Sequence, residues 1–92
     1  MTKLSGPQLR GLKAQAQRLE PILKIGKAGV TEAFLVALDE ALGCHELVKI
    51  KFEHHKDEKE TLTPMLIERS RSCLVLRVGN VIVLHRPTPE PA

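Results

Sequence analysis

The sequence predicts an α/β fold in the order αβαβαββ, a four-stranded mixed sheet with packed helices. Three observations lead there. Helical and strand periodicities alternate along the chain. The segment LVKIKF, residues 47–52, alternates apolar and basic side chains as a half-buried strand does. The last two β-rich runs, CLVLRV and VIVLH, are separated only by Gly79-Asn80. A two-residue loop joins antiparallel neighbours, whereas helices between strands imply crossovers, so the sheet must be mixed.

The first helix is expected to start near Ser5 as N-cap, with Pro7 in the opening turn, where a missing N–H costs least. Leu9, Leu12, Ala16 and Leu19 recur at helical spacing as its buried stripe, with Arg10, Lys13 and Gln17 on the opposite side. Pro21 is expected to end it, and Ile22 to Ile25 then reads as a short strand with Lys24 exposed. Thr31 is the expected N-cap of the second helix, Glu32 complements its positive end, and Phe34, Leu35, Leu38, Ala41 and Leu42 form its apolar face. Gly43 is the expected stop. In the following strand Val48, Ile50 and Phe52 point one way and Lys49 and Lys51 the other. Residues 53–61 read as a charged loop or helix lead-in. The third helix is expected from Thr61, or from Thr63 as N-cap with Pro64 at the first helical position, burying Met65, Leu66 and Ile67. Cys73 opens a strand and is expected in the core, Gly79-Asn80 is a turn of the type that puts glycine first, and RPTPEPA is expected to be a disordered tail.

Composition narrows the function. A chain of 92 residues with 42% apolar and 27% charged residues has the balance of a globular protein and the size of one domain, too small for a deep enclosed active site. Phe34 and Phe52 are its only Phe, Tyr or Trp residues, which leaves an aliphatic core and largely excludes base stacking on an aromatic platform. Charge is unevenly distributed. Residues 1–30 hold six basic residues against Glu20 alone, a net of +5, whereas residues 31–92 hold eight against ten acids, a net of −2. A basic segment of this kind suits a polyanion. Cys44 and Cys73 fit no metal or redox spacing, no apolar leader opens the chain, and no run is long enough to span a membrane, so a cytoplasmic protein with reduced cysteines is expected.

The basic segment ends in ILKIGKAGVTEAF, residues 22–34, where Gly26 and Gly29 bracket Lys27 and Ala28 at a strand-to-helix joint. A phosphate-binding P-loop fails here, because Pro21 stands where its first glycine belongs and Ala28 follows the lysine. A dinucleotide fingerprint fails at Glu32, where a third glycine is required. G-x-x-G remains, the loop with which KH modules clamp a nucleic-acid backbone. Glycines remove the β-carbons that would block close approach, and backbone amides and the following helix terminus favour an anion. In KH modules the loop joins two helices, whereas here it follows a strand, so this is not an ordinary KH domain. Lys24, Gly26, Lys27, Ala28, Gly29, Arg10 and Lys13 are the candidate nucleic-acid-binding residues, and Lys49 and Lys51 could extend them.

LKIGKAGVTE, HELVKIKF and VGNVIVLHRP, in that order and spacing, resemble the CRM domain (chloroplast RNA splicing and ribosome maturation), in particular its stand-alone bacterial YhbY-like form. The resemblance covers roughly residues 3–87. It implies a fold similar to the C-terminal domain of translation initiation factor 3, RNA binding, and association with precursors of the large ribosomal subunit. It also places Gly26, Lys27, Ala28 and Gly29 on the family's G-x-x-G loop. His85 departs from it, since relatives often have Tyr before Arg-Pro. Residues 1–87 are accordingly expected to form one CRM-like RNA-binding domain and 88–92 a disordered tail.

Other chemistry finds little support. Cys44, His45, His54 and His55 come as two adjacent pairs, and adjacent residues rarely converge on one ion, so no metal site is expected and His54-His55 reads as a solvated loop. No nucleophile with a base and an orienting acid stands out, so neither catalysis nor a cofactor is expected. The expected partner is RNA, probing a monomer's basic face. The alternative is a protein–protein adaptor using that face on an acidic ribosomal or regulatory partner.

Overall fold

The computed structural model describes residues 6–86, and the expected Ser5 cap and the 88–92 tail lie outside them. The elements run α1 (Gly6–Ala16), β1 (Leu23–Ile25), α2 (Glu32–Cys44), β2 (Leu47–Phe52), a 3-10 turn (Lys56–Glu58), α3 (Lys59–Ser70), β3 (Cys73–Val78) and β4 (Val81–His85). The four strands form one sheet in the order β1-β2-β4-β3. β1 is parallel to β2, and β4 is antiparallel to both β2 and β3, so the expected mixed sheet is present.

Strand alternation sends side chains to two different cores. On one face Ile25, Val48, Ile50, Phe52, Ile82 and Leu84 pack under Leu38 and Leu42 of α2 and Leu66 of α3. On the other, Leu47, Val83 and Val75 meet Leu12 and Ala16 of α1. Val75 is the extra residue of a bulge between Leu74 and Leu76. It lets β3 place Val75 in the smaller core while Leu74 stays paired with Leu84. Phe52 is fully buried, the one aromatic residue among the buried members of the major core, with Phe34 packed half-buried against it. At the β3–β4 turn Gly79 carries the left-handed φ (+55°) and Asn80 does not, as the glycine-first turn requires.

Three boundaries and one burial differ from the sequence expectations. The α1 helix stops at Ala16, well before Pro21, through tighter closures of Arg18 N–H on the Gln15 carbonyl and Leu19 N–H on the Ala16 carbonyl, both 3.1 Å. Leu19 is consequently 36% exposed and leaves the buried stripe. From β2, Lys49 Nζ donates to the carbonyls of Leu19 (3.0 Å) and Ala16 (3.4 Å), which ties this closing turn to the sheet. The Thr31 cap forms as expected, its Oγ1 accepting from Phe34 N–H at 3.1 Å, but α2 continues through Gly43 to Cys44. It ends in extended His45, whose N–H closes on the Ala41 carbonyl at 2.8 Å, because the chain runs directly on into β2 without a left-handed reversal. The α3 helix begins earlier than expected, so Pro64 lies within it and Thr63 is buried rather than capping. The lost bond falls on the carbonyl of Glu60 in the exposed first turn, where water can replace it. Cys73 is only half-buried, at the start of the edge strand.

The end of α3 is held unusually. Arg71 takes a left-handed conformation (φ +55°) while its N–H reaches Glu68 and the Ser72 N–H reaches the Ile67 carbonyl at 3.1 Å, a Schellman closure of the kind glycine usually makes. Arg86 then ties the sheet to both helices above it, donating to Asp39 Oδ1 (2.8 Å), the Asp39 carbonyl (2.9 Å) and the Ser70 carbonyl (3.0 Å).

Two stability tests follow from these contacts. Arg71→Gly is expected to raise the unfolding free energy by about 1 kcal/mol, because a left-handed residue with a β-carbon costs roughly that much; a lower denaturation midpoint would contradict the strain. Lys49→Met is expected to lower it by about 1 kcal/mol through loss of the helix-end hydrogen bonds, while Lys51→Met stays within about 0.5 kcal/mol of wild type. Equal losses in urea unfolding would show that Lys49 is not a cap.

Candidate nucleic-acid interface

Register decides where the basic residues go. Lys24 and Lys51 are direct cross-strand partners, so they share a sheet face, and alternation puts Lys49 on that face as well. This is the face on which α1 packs, and Arg10 and Lys13 are exposed on α1. Two lysines side by side repel each other, by a few tenths of a kcal/mol in roughly the way like charges do across a strand pair. Lys24 is partly compensated by Glu53, with Nζ 3.8 Å from Oε2. Among the described residues, Arg10, Lys13, Lys27 and Lys51 have no acid within ion-pair distance. Lys49 differs from the rest, because its ammonium is engaged with the end of α1.

The opposite layer is acidic. Residues 32–44 and 56–70, which hold α2, the 3-10 turn and α3, carry Glu32, Asp39, Glu40, Asp57, Glu58, Glu60 and Glu68 against Lys56, Lys59 and Arg69. The sheet therefore separates a basic side from an acidic one, a polarity that would orient a polyanion before contact.

At the end of β1, residues 26–29 form a tight turn closed by Gly29 N–H on the Gly26 carbonyl at 3.0 Å. Gly29 has φ +73°, a conformation that disfavours any side chain. Nothing lies within 4 Å of a β-carbon placed on Gly26, so that side of the turn is open to an incoming group. Lys27 and Ala28 occupy the exposed corner, and among the described residues no partner takes their amides. The turn leads through Val30 to the capped N-terminus of α2. Exposed amides, a lysine and the start of a helix are thus adjacent along the chain, an arrangement suited to an anion.

One participant was missed by sequence reasoning. His55 lies after β2 with φ +58°, and its ring reaches back 28 residues so that Nε2 donates to the Lys27 carbonyl at 2.8 Å. Its Nδ1 lies 3.4 Å from Glu58 Oε2. The ring also backs Gly29, with Nε2 3.5 Å from where a β-carbon would stand. The adjacent segments are tied as well, since the Ile25 carbonyl accepts from Glu53 N–H (3.1 Å) and His54 N–H (3.0 Å). Residue 55 is therefore no solvated loop position. The only local hint was the acid three residues on, Glu58, which says nothing of Lys27.

His85 is 8% exposed, on the α1 face with Nε2 3.8 Å from Glu46 Oε2, so it packs rather than offering a ring to a base. Among the described residues no group of three or more His, Cys, Asp and Glu side chains could hold a metal ion, and no helix is long and apolar enough to cross a membrane.

Comparison with known proteins agrees with this architecture. Residues 4–86 match the family model of the CRS1 / YhbY (CRM) domain. The chain is 36% identical over 88 residues to the Probable RNA-binding protein YqeI of Bacillus subtilis, covering 95% of this chain and 92% of that protein. It is 33% identical over 91 residues to a protein of Haemophilus influenzae named RNA-binding protein, covering 98% and 92%. Among solved structures, the solution structure of SAV1595 from Staphylococcus aureus, a hypothetical protein provisionally assigned RNA binding, is similar with a TM-score of 0.80 and 35% identity, covering 98% of this chain and 95% of that one. The family model spans both the glycine turn and the last strand, and with these relatives it establishes that the chain belongs to the CRS1/YhbY (CRM) domain family.

Proposed function

We propose that this chain is a non-catalytic RNA-binding protein that associates with precursors of the large ribosomal subunit and assists their assembly. Its glycine turn and basic face grip the ribosomal RNA backbone. The observation that carries the reading is the juxtaposition of the Lys24–Lys51 pair with an open Gly26–Gly29 turn at the end of the same strand. The relatives' names support RNA as the partner class. The assembly role follows from what the family resemblance implies.

The roles divide by position. Lys27 and the Lys27 and Ala28 amides take a phosphate at the turn, with Gly26 and Gly29 permitting the approach. Arg10, Lys13, Lys24 and Lys51 hold further phosphates on the α1 side. Lys49 adds to the field of that face while its own hydrogen bonds stay on α1. Contacts of this kind fix position and read shape, so discrimination among RNA sequences is modest. Residues 1–87 act as one unit in this scheme, as a monomer in the cytoplasm.

With these five cations on phosphates, log affinity is expected to fall with log salt at a slope of about −3.5 to −4.5. Lys27→Glu is expected to weaken binding to purified large-subunit ribosomal RNA about tenfold or more and to flatten that slope by about one unit. Wild-type affinity in this variant, measured by filter binding at moderate salt, would remove the turn from the interface. In lysate gradients at low salt, the native protein is expected to co-migrate with large-subunit precursors and to lose that association at high salt. An association that survives ribonuclease would instead favour a protein–protein adaptor, with the basic face on an acidic partner.

A further inference from the structure

The glycine turn has few means of holding its own shape. Its internal bond is Gly29 N–H on the Gly26 carbonyl, and both ends are glycines, the residues with most conformational freedom to lose. A loop with that composition would sample many geometries, and a phosphate would have to order it on binding, at the expense of affinity. The structure supplies order from elsewhere. A non-glycine residue, His55, is held in the left-handed region with its imidazole turned onto the turn.

We infer that His55 is the positioning residue of the glycine turn: a latch that preorganises Lys27 and Ala28 for an RNA phosphate without touching the RNA itself. This deepens the RNA-binding reading and rests on it for its functional part. Three contacts define the latch. The Nε2–H donates to the Lys27 carbonyl at 2.8 Å, which fixes the peptide plane joining Lys27 to Ala28 and hence the direction of the Ala28 amide. The ring covers Gly29 on the side where a β-carbon would point, so Gly29 is needed both for its positive φ and for room against the imidazole. Glu58 Oε2 lies 3.4 Å from Nδ1 at the ring's other edge, an ion pair when both ring nitrogens carry protons. Because a carbonyl only accepts, Nε2 carries a proton in this contact.

Left-handed backbone at residue 55 is part of the device. It turns the chain sharply after β2, where Glu53 and His54 are bound to the Ile25 carbonyl, and aims the next side chain back at the turn. Histidine adopts this region more readily than most residues with a β-carbon, and its ring is long enough to reach Lys27. The latch thereby couples two loops separated by the whole of α2.

The test uses His55→Asn and His55→Gln in the full chain. Asparagine keeps the tolerance for left-handed backbone but is too short to reach Lys27, whereas the glutamine amide N–H occupies nearly the position of Nε2. In the free protein, His55→Asn is expected to speed hydrogen exchange and raise the nanosecond mobility of the residue 26–29 amides by NMR, with His55→Gln close to wild type. With purified large-subunit ribosomal RNA, His55→Asn is expected to weaken binding roughly three- to tenfold at an unchanged salt slope, because no cation has been removed, and His55→Gln to recover most of it. This contrasts with Lys27→Glu, which changes the slope. Amides as well ordered in His55→Asn as in wild type would overturn the latch. Mobile amides with undiminished RNA affinity would overturn its positioning role. If the wild-type chain shows no salt-dependent RNA binding, the RNA reading itself fails, and amide order in the free variants still decides whether His55 holds the turn.

Discussion

The register of β2 is the constraint on which the rest of the molecule depends. It is hydrogen-bonded on both edges, to β1 and to β4, so its alternation is imposed on the two neighbours. Val48, Ile50 and Phe52 go to the major core at 0% exposure, and Leu47, Lys49 and Lys51 go to the α1 face. A slip of one residue would turn two lysines into the aliphatic core and Phe52 into water, a cost far beyond the stability of a domain this size. The same register that builds the core therefore builds the basic face, and no separate device is needed to place Lys51 beside Lys24.

A division of labour follows from the sheet. Its α2/α3 side provides most of the apolar burial and carries most of the acids, whereas its α1 side has a smaller core and unpartnered cations. Charge separation across a thin sheet gives the molecule a preferred orientation in the field of a polyanion. The glycine turn lies at the end of the strand that carries Lys24, so the proposed phosphate contact would coincide with the electrostatic attraction of that face. Lys49 shows that a basic residue on this face is not automatically a ligand contact. Its ammonium is engaged with the carbonyls of Ala16 and Leu19, at and just beyond the end of α1, and so ties that helix end to the sheet.

Much of this was legible beforehand. The strands at 47–52, 73–78 and 81–85, the Thr31 cap and the glycine-first turn were all apparent, because each rests on a pattern of two to six neighbouring residues. The errors share a cause. Local tendencies make Pro21, Gly43 and Pro64 punctuation, and at each of them the chain's surroundings override that tendency. The α1 helix closes early in tighter turns that Lys49 ties to the sheet, α2 passes through Gly43 because β2 begins directly after it, and α3 absorbs Pro64 where water can serve the orphaned carbonyl.

By itself the sequence determined the strand alternation, the helix stripes, the concentration of basic charge before residue 31 and the glycine spacing at 26–29, all of them properties of periodicity and composition. Only the tertiary structure decided what the individual polar groups do. Lys49 meets the end of α1 across 30 residues of chain, His55 meets the Lys27 carbonyl across 28, and Arg86 meets Asp39 across 47. Such meetings depend on how the packed layers bring remote backbone together, and no local period encodes them, because a side chain's hydrogen-bonding partner is set by the nearest unsatisfied group in space.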